Sequence, residues 1–385
     1  MTCFWKLFVF MFVLEINCEE NEICFLVIGD IGGVPYYPYQ TASQKKVASL
    51  LAKVSEKLKC KFVMGLGDNF YFNGVKNVDD PRFHQTFELT YAAKSLDFPW
   101  YMIAGNHDHA QNISAQIAYT KKSKKWFYPD YFYTKVFNIP NSNKTLQIIM
   151  IDTMMLCWHN RRSGAPSPEV QLNWFADELQ KSTANFLIVG GHHPIYSAGS
   201  HGNSACLMEK VKPLLEKFKV TAYFSGHDHN LQHIKEDYSP THYFVSGSGN
   251  FVDSRMLNKG KLPANSLKFA HGLYGGFMLA RVNEKWLELL MTNSVPEKLY
   301  KVLLLPRKTP NPFFIEEFDY GAKQMIIKEP VLNEIAFHEI PNPIEAVNVK
   351  NENHESFSLK EKIFSSEWFY GGLYNIKKNE NQSLS

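Results

Sequence analysis

Five times along this 385-residue chain, a short apolar stretch runs into a glycine that is followed at once by an acid, an amide or an imidazole. Cys24–Ile28 leads to GDIGG at Gly29–Gly33, Phe62–Met64 to GDNFY at Gly67–Tyr71, and Trp100–Ala104 to GNHDH at Gly105–His109. Phe186–Val189 leads to GHH at Gly191–His193, and Val220–Phe224 to GHDH at Gly226–His229. Continuous apolar runs bounded by glycine read as strands buried on both faces. In open α/β sheets the chemistry lies just past the carboxyl ends of such strands. Five separated pieces of chain can therefore deliver side chains to one place. Together they offer Asp30, Asp68, Tyr71, Asn106, His192, His227 and His229, all oxygen or nitrogen donors without a cysteine. Such a set suits iron, manganese or zinc. A single Gly-Asp turn carries little weight, since a turn aspartate commonly bonds its own backbone. The force of the pattern lies in all five runs, in this order, each after a strand.

The gaps between the runs read as helices and further strands. Thr41–Lys59 places Val47, Leu50, Leu51, Val54 and Leu58 on one face, at helical spacing. Pro168–Lys181 and Ser204–Phe218 read the same way, and strands are expected at Leu146–Ile151 and His242–Val245. A 45% hydrophobic chain of this length can build one large α/β domain. Strand sets before and after about residue 145 predict two packed β-sheets. The expected fold class is α/β, two packed β-sheets with the helices that fill the gaps beside them and the five polar runs at the C-terminal edge of the strands.

The motif set resembles the calcineurin-like metallophosphoesterases. The tyrosine three residues after Asp68 narrows the resemblance to the purple acid phosphatases. The flanking text GDNFYFNGV, AGNHDHAQNISAQIAY and SGHDHNLQ is similar to the animal tartrate-resistant group, over roughly Ile23 to Arg307. The resemblance implies Fe(III) held by Asp30, Asp68, Tyr71 and His229. A divalent ion, Fe(II) with Zn or Mn as substitutes, would be held by Asp68, Asn106, His192 and His227. Phenolate and carboxylates favour the harder trivalent ion, whereas imidazoles and an amide suit a divalent one. Two ions bridged by one carboxylate stand about 3.5 Å apart and can clamp a phosphate. The implied reaction is acid hydrolysis of phosphate monoesters by a metal-bound hydroxide. His107 and His201 are the expected catalytic imidazoles, holding phosphate and giving a proton to the leaving alkoxide.

The chain departs from that family in three places. His193 stands where a tyrosine is common; it reads as a surface histidine without a role in preference to an extra imidazole that competes in the ligand assignment or accepts a proton. The segment Trp158–Gln171 is shorter than the loop that mammalian members place over the active site. About 75 residues follow the family's usual end. From Thr309 to Ser385 there are 7 lysines against 12 acids, a net of −5, which leaves +8 for the rest of a chain whose total is +3. A basic catalytic part favours anionic phosphoesters, although scattered solvated lysines give the same count.

Residues 1–18 read as a signal peptide, with Lys6 before an apolar run, Leu7–Leu14, too short to span a bilayer. Residues 19–308 form the expected metallophosphoesterase domain, and 309–385 a partly disordered extension in which Phe313–Tyr320 and Phe364–Tyr374 dock on the basic domain. A secreted or lysosomal monomer without membrane anchor or nucleic-acid partner is expected. Asn112 and Asn143 are glycosylation acceptors by motif, as is Asn381. Among Cys24, Cys60, Cys157 and Cys206 three pairings are open by sequence. The resemblance favours Cys157–Cys206; Cys24 and Cys60, in or just before neighbouring strands, are left either as buried thiols or as a second bond. Expected substrates are small phosphoesters or phosphoproteins. Two other functions fit the same runs less well: a nucleotide-directed diesterase, against which Tyr71 argues because related diesterases usually lack a tyrosine ligand, and a non-catalytic binding protein, which has no need of all seven donors.

Overall fold

The computed structural model describes residues 21–158, 165–295 and 300–307. In chain order the strands among them are β1 (Ile23–Ile28), β2 (Phe62–Gly65), β3 (Trp100–Met102), β4 (Trp126–Phe127), β5 (Tyr133–Asn138), β6 (Thr145–Met150) and β7 (Phe186–Gly190). There follow β8 (Ala222–Ser225), β9 (Leu231–Ile234), β10 (His242–Ser246), β11 (Leu267–His271), β12 (Gly276–Val282), β13 (Leu287–Asn293) and β14 (Tyr300–Leu304). They form two sheets, ordered β14-β13-β12-β1-β2-β3-β4 and β11-β9-β10-β8-β7-β6-β5. β1 through β4 pair in parallel, and so do β6, β7, β8 and β10. The carboxyl ends of β1, β2 and β3 thus share one edge of the first sheet, and those of β7 and β8 one edge of the second.

The division between sheets differs from the expected split near residue 145. β5 joins the second sheet, and the late strands β12–β14 return to the first, with β12 antiparallel to β1. An antiparallel partner needs only an exposed edge on β1, and nothing local in the β12 sequence announces which edge it takes.

The helices are α1 (Ala42–Leu58), α2 (Asn106–His109), α3 (Ile113–Tyr119), α4 (Thr153–Cys157), α5 (Pro168–Lys181), α6 (Ala205–Lys210) and α7 (Lys212–Lys217). α1 begins where the Thr41 hydroxyl accepts from the Gln44 amide at 3.0 Å, and it ends at Lys59 with φ of 53°. It buries Val47, Leu50, Leu51, Val54 and Leu58, each contributing roughly 1.5–3 kcal/mol of transfer free energy. α5 is capped by Ser167 with Pro168 in its first turn, so the connecting segment ends at Ser167 and Gln171 already lies in the helix. Residues 159–164 of that segment lie outside the described residues. Ser204–Phe218 is two helices because Pro213 cannot donate to a preceding carbonyl and its ring clashes with it; the proline sits in the first turn of α7 instead.

One apolar core fills the space around the first sheet and between the sheets, with Phe25, Phe62 and Phe137 stacked in series. A second, including Phe175, Leu179, Leu207 and Leu215, lies under α4–α7. Cys157 is joined to Cys206. Cys24 and Cys60 are also joined, the second of the two states left open by the sequence. Parallel pairing of Phe25 with Phe62 brings their neighbours Cys24 and Cys60 to a Cα separation of 4.4 Å, within disulfide range.

After β14, Arg307 donates to the carbonyls of Ala184, Phe218 and Ser182 at 2.7, 2.9 and 2.8 Å. Hydrogen bonds from a charged group carry about 1.5–3 kcal/mol. Arg307→Met is therefore expected to lower the unfolding free energy by about 2–3 kcal/mol, read as a lower urea midpoint. An unchanged midpoint would show that the clamp contributes nothing.

Asn112 accepts from the Ala115 amide as the cap of α3, and Asn143 stands exposed before β6. The signal segment, Asn381 and the whole extension from 309 lie outside the described residues. Among those described, no helix is long and apolar enough to cross a membrane.

Candidate metal centre

Each of the seven donors sits in the loop that leaves its strand, and the backbone there is tightly bent. Asp30, Asp68 and His227 have φ of 60°, 52° and 69°, a region that costs a non-glycine residue energy and persists where the surroundings demand it. The adjoining glycines make room. A Cβ on Gly105 would meet Asp68 Oδ1 at 2.2 Å, and one on Gly226 would meet Asp30 Oδ2 at 2.3 Å.

The loops after β1, β2 and β8 converge first. The Tyr71 hydroxyl lies 3.1 Å from Asp30 Oδ1 and 3.0 Å from His229 Nε2, and His229 Nε2 is 3.5 Å from Asp30 Oδ1. Asp30 is fully buried, and its Oδ2 accepts from the His227 amide at 2.9 Å. Burial, then the charges of Asp30 and Asp68, push the Tyr71 phenol well above its usual value. Burial opposes charge on His229, but hydrogen bonding and attraction from Asp30 raise its basicity overall.

The loops after β2, β3, β7 and β8 converge beside them. The His192 Nδ1–H donates to the Leu66 carbonyl at 2.8 Å, because a carbonyl only accepts. In the neutral ring Nε2 is then left with a bare lone pair. Around it lie Asn106 Oδ1 at 2.9 Å, His227 Nδ1 at 3.2 Å and Asp68 Oδ1 at 3.4 Å. Burial and the neighbouring imidazoles push His227 well below the usual histidine range. Asn106 Oδ1 and the Asp68 carboxylate only accept, and a cation among them and the two ring nitrogens would satisfy all four together. Two groups of ligand-type atoms, Asp30–Asp68–His192 and His192–His193–His227, each gather within 4.8 Å. The donor set therefore fits metal.

Asp68 stands between the two halves. Burial alone would raise its pKa, but His192, His107 and the His107 amide, which donates to Oδ1 at 3.0 Å, hold it below the usual carboxylate value.

The two expected catalytic imidazoles flank the centre. His107 Nδ1 bonds the Phe72 carbonyl at 2.6 Å, and its Nε2 lies 3.9 Å from Asp68 Oδ2. His201 donates Nδ1–H to Asp228 Oδ1 at 2.9 Å, and its ring lies 4.2 Å from that of His227, with Nε2 left to face outward. His193 is not on the surface: it is 5% exposed, packed against His227 and Trp158.

Several supporting residues escaped the sequence reading. Asp108 accepts from the amides of Asn69, Phe70 and Gly105 and from Gln116, so it ties the β2 and β3 loops together. Burial and nearby Asp68 raise its pKa to about 6. Asp228 accepts from Ser197 and from both the amide and the ring of His201. His109 bonds Asp152 at 2.6 Å beneath α2. The signal was present, since Asp108 and Asp228 are the acids inside GNHDH and GHDH, but only packing distinguishes a brace from a ligand.

Known proteins share this arrangement. The calcineurin-like phosphoesterase family matches residues 24–231. The rat tartrate-resistant acid phosphatase type 5 is 39% identical, the alignment covering 76% of this chain and 94% of that protein. Its human counterpart is 38% identical over 74% and 92%, and Arabidopsis thaliana purple acid phosphatase 4 is 34% identical over 73% and 83%. Among solved structures, GAP50, described as the anchor in the inner membrane complex of Plasmodium, superposes with a TM-score of 0.65 at 24% identity, covering 75% of this chain and 90% of that one. A purple acid phosphatase from yellow lupin gives 0.55 at 15%, covering 72% and 52%. At those identities the two structures speak for the fold alone. The sequence relatives carry more: this chain belongs to the calcineurin-like phosphoesterases and, within them, to the animal tartrate-resistant, purple acid phosphatase group.

Proposed function

We propose that this acid phosphatase holds a trivalent iron between Asp30, Asp68, Tyr71 and His229, and a divalent ion, Fe(II) with Zn or Mn as alternatives, between Asp68, Asn106, His192 and His227. The observation that carries the reading is the convergence of Asn106 Oδ1, His227 Nδ1 and Asp68 Oδ1 on His192 Nε2 at 2.9–3.4 Å. Bound there, the ions supply Lewis acidity toward phosphoryl oxygens and activate a water for attack at phosphorus.

The chain's own residues do the remaining work. Leu66 and Asp228 each fix one histidine tautomer, so that His192 Nε2 faces inward and His201 Nε2 faces the entrance. His107, packed edge-on against Tyr71 at 4.8 Å, and His201 bind phosphate oxygens when protonated. His201 gives its proton to the leaving alkoxide. Substrates are small phosphoesters or phosphoproteins, handled by a secreted or lysosomal monomer. Asn112 and Asn143 carry glycans, and the residues from 309 form an extension to the catalytic domain.

Two measurements test this. Metal analysis of active native protein is expected to find two ions per chain with at least one iron; two zinc ions and no iron would refute the assignment. His201→Ala is expected to keep metal and lose about 10²–10⁴-fold in turnover of alkyl phosphates, with a much smaller loss for nitrophenyl phosphate, whose leaving group needs no proton. Equal losses on both substrates would leave His201 a binding role only.

A further inference from the structure

We propose that His193 is an additional ligand of the divalent half of the centre, giving it three imidazoles rather than two. The inference rests on the ligand assignment above and extends it by one residue.

The placement is specific. One ring nitrogen of His193 lies with ligand nitrogens of His192 and His227 inside a 4.8 Å group. His192 Nε2 and His227 Nδ1 are 3.2 Å apart, the spacing of two nitrogens on one ion, which is about 3–3.4 Å for bonds of about 2.0–2.1 Å. The His193 ring stands beside this pair. The ring is held from outside: its centroid is 4.2 Å from that of Trp158 and 4.3 Å from that of His227. Trp158 follows Cys157, which is anchored to Cys206.

The hydrogen bonding permits ligation. Thr153 Oγ1 lies 2.8 Å from His193 Nδ1 and accepts from the His193 amide at 3.1 Å. An oxygen with two lone pairs can accept from the amide and from Nδ1–H together. That tautomer leaves Nε2 with a free lone pair, and no hydrogen bond engages Nε2 among the described residues. The outer nitrogen of a metal-bound histidine is typically fixed in this way. With Asp68, Asn106, His192 and His227, a fifth donor still leaves one octahedral position for substrate. The added nitrogen also shifts metal choice. Imidazole suits zinc and iron, whereas manganese prefers carboxylate, carbonyl and water. The site is accordingly expected to take zinc over manganese.

The test uses full-length protein loaded with iron and zinc. X-ray absorption at the zinc edge of the wild type is expected to fit three imidazoles. His193→Ala and the ring-preserving His193→Phe are expected to fit two and to release zinc to a chromogenic chelator at least about tenfold faster. In both variants the visible band from the Tyr71 half is expected to persist, which reports an intact fold. Two imidazoles in the wild type, or unchanged release in both variants while His192→Ala accelerates it, would overturn the proposal and leave the underlying assignment standing. Unchanged release from His192→Ala as well would overturn both.

Discussion

Tyr71→Phe protein is expected to be colourless where the wild type is purple to pink. A phenolate on trivalent iron gives a visible charge-transfer band, and Tyr71 is the phenol among the proposed ligands. Its hydroxyl stands 3.1 Å from Asp30 Oδ1 and 3.0 Å from His229 Nε2, in a buried position. Burial and the two carboxylates push its proton loss well above the normal range. Only a strong cation in the same pocket reverses that order and makes the phenolate stable. Phenylalanine preserves the ring contacts with His107 at 4.8 Å and Phe251 at 5.0 Å, so the loop keeps its shape. The expected result is complete loss of the band with an unchanged circular dichroism spectrum. A band that survives the substitution would remove Tyr71 from the ligand set.

Asp68→Asn is expected to cost the most activity of any single substitution here. Asp68 is 1% exposed, and its ligand oxygen gathers within 4.8 Å of the ligand atoms of Asp30 in one half and His192 in the other, while the His107 amide donates to its Oδ1 at 3.0 Å. Asparagine keeps the shape and one acceptor but removes the negative charge that two adjacent cations would share. Turnover is expected to fall by at least about 10³-fold, about 4 kcal/mol of barrier, and bound metal to fall below two ions per chain. A variant with both ions and more than a tenth of wild-type turnover would show that Asp68 does not bridge them.

The sequence by itself went far on local matters. Apolar runs bounded by glycine marked the strands that carry the donors, and α1 and α5 were bounded within a residue of their caps by Thr41 and Ser167. Those features are short-range: a buried strand needs apolar residues on both faces, and a helix start needs a side chain that can accept from its first amides. The seven candidate donors were picked out on the same short-range signal, since they lie in five runs that each follow a strand.

What the tertiary structure decided depends on residues far apart in the chain. Which edge of β1 is free for β12 was settled by pairing across more than two hundred residues. The Cys24–Cys60 bond follows from the register of β1 on β2. His193 reads as a surface residue from its neighbours in sequence, yet Trp158 from another loop covers it. Asp108 and Asp228 differ from Asp30 and Asp68 only in which amides and side chains surround them. Donor type is a property of the residue and its immediate backbone; whether a donor faces a cation, a histidine or an amide is set by what the fold brings against it.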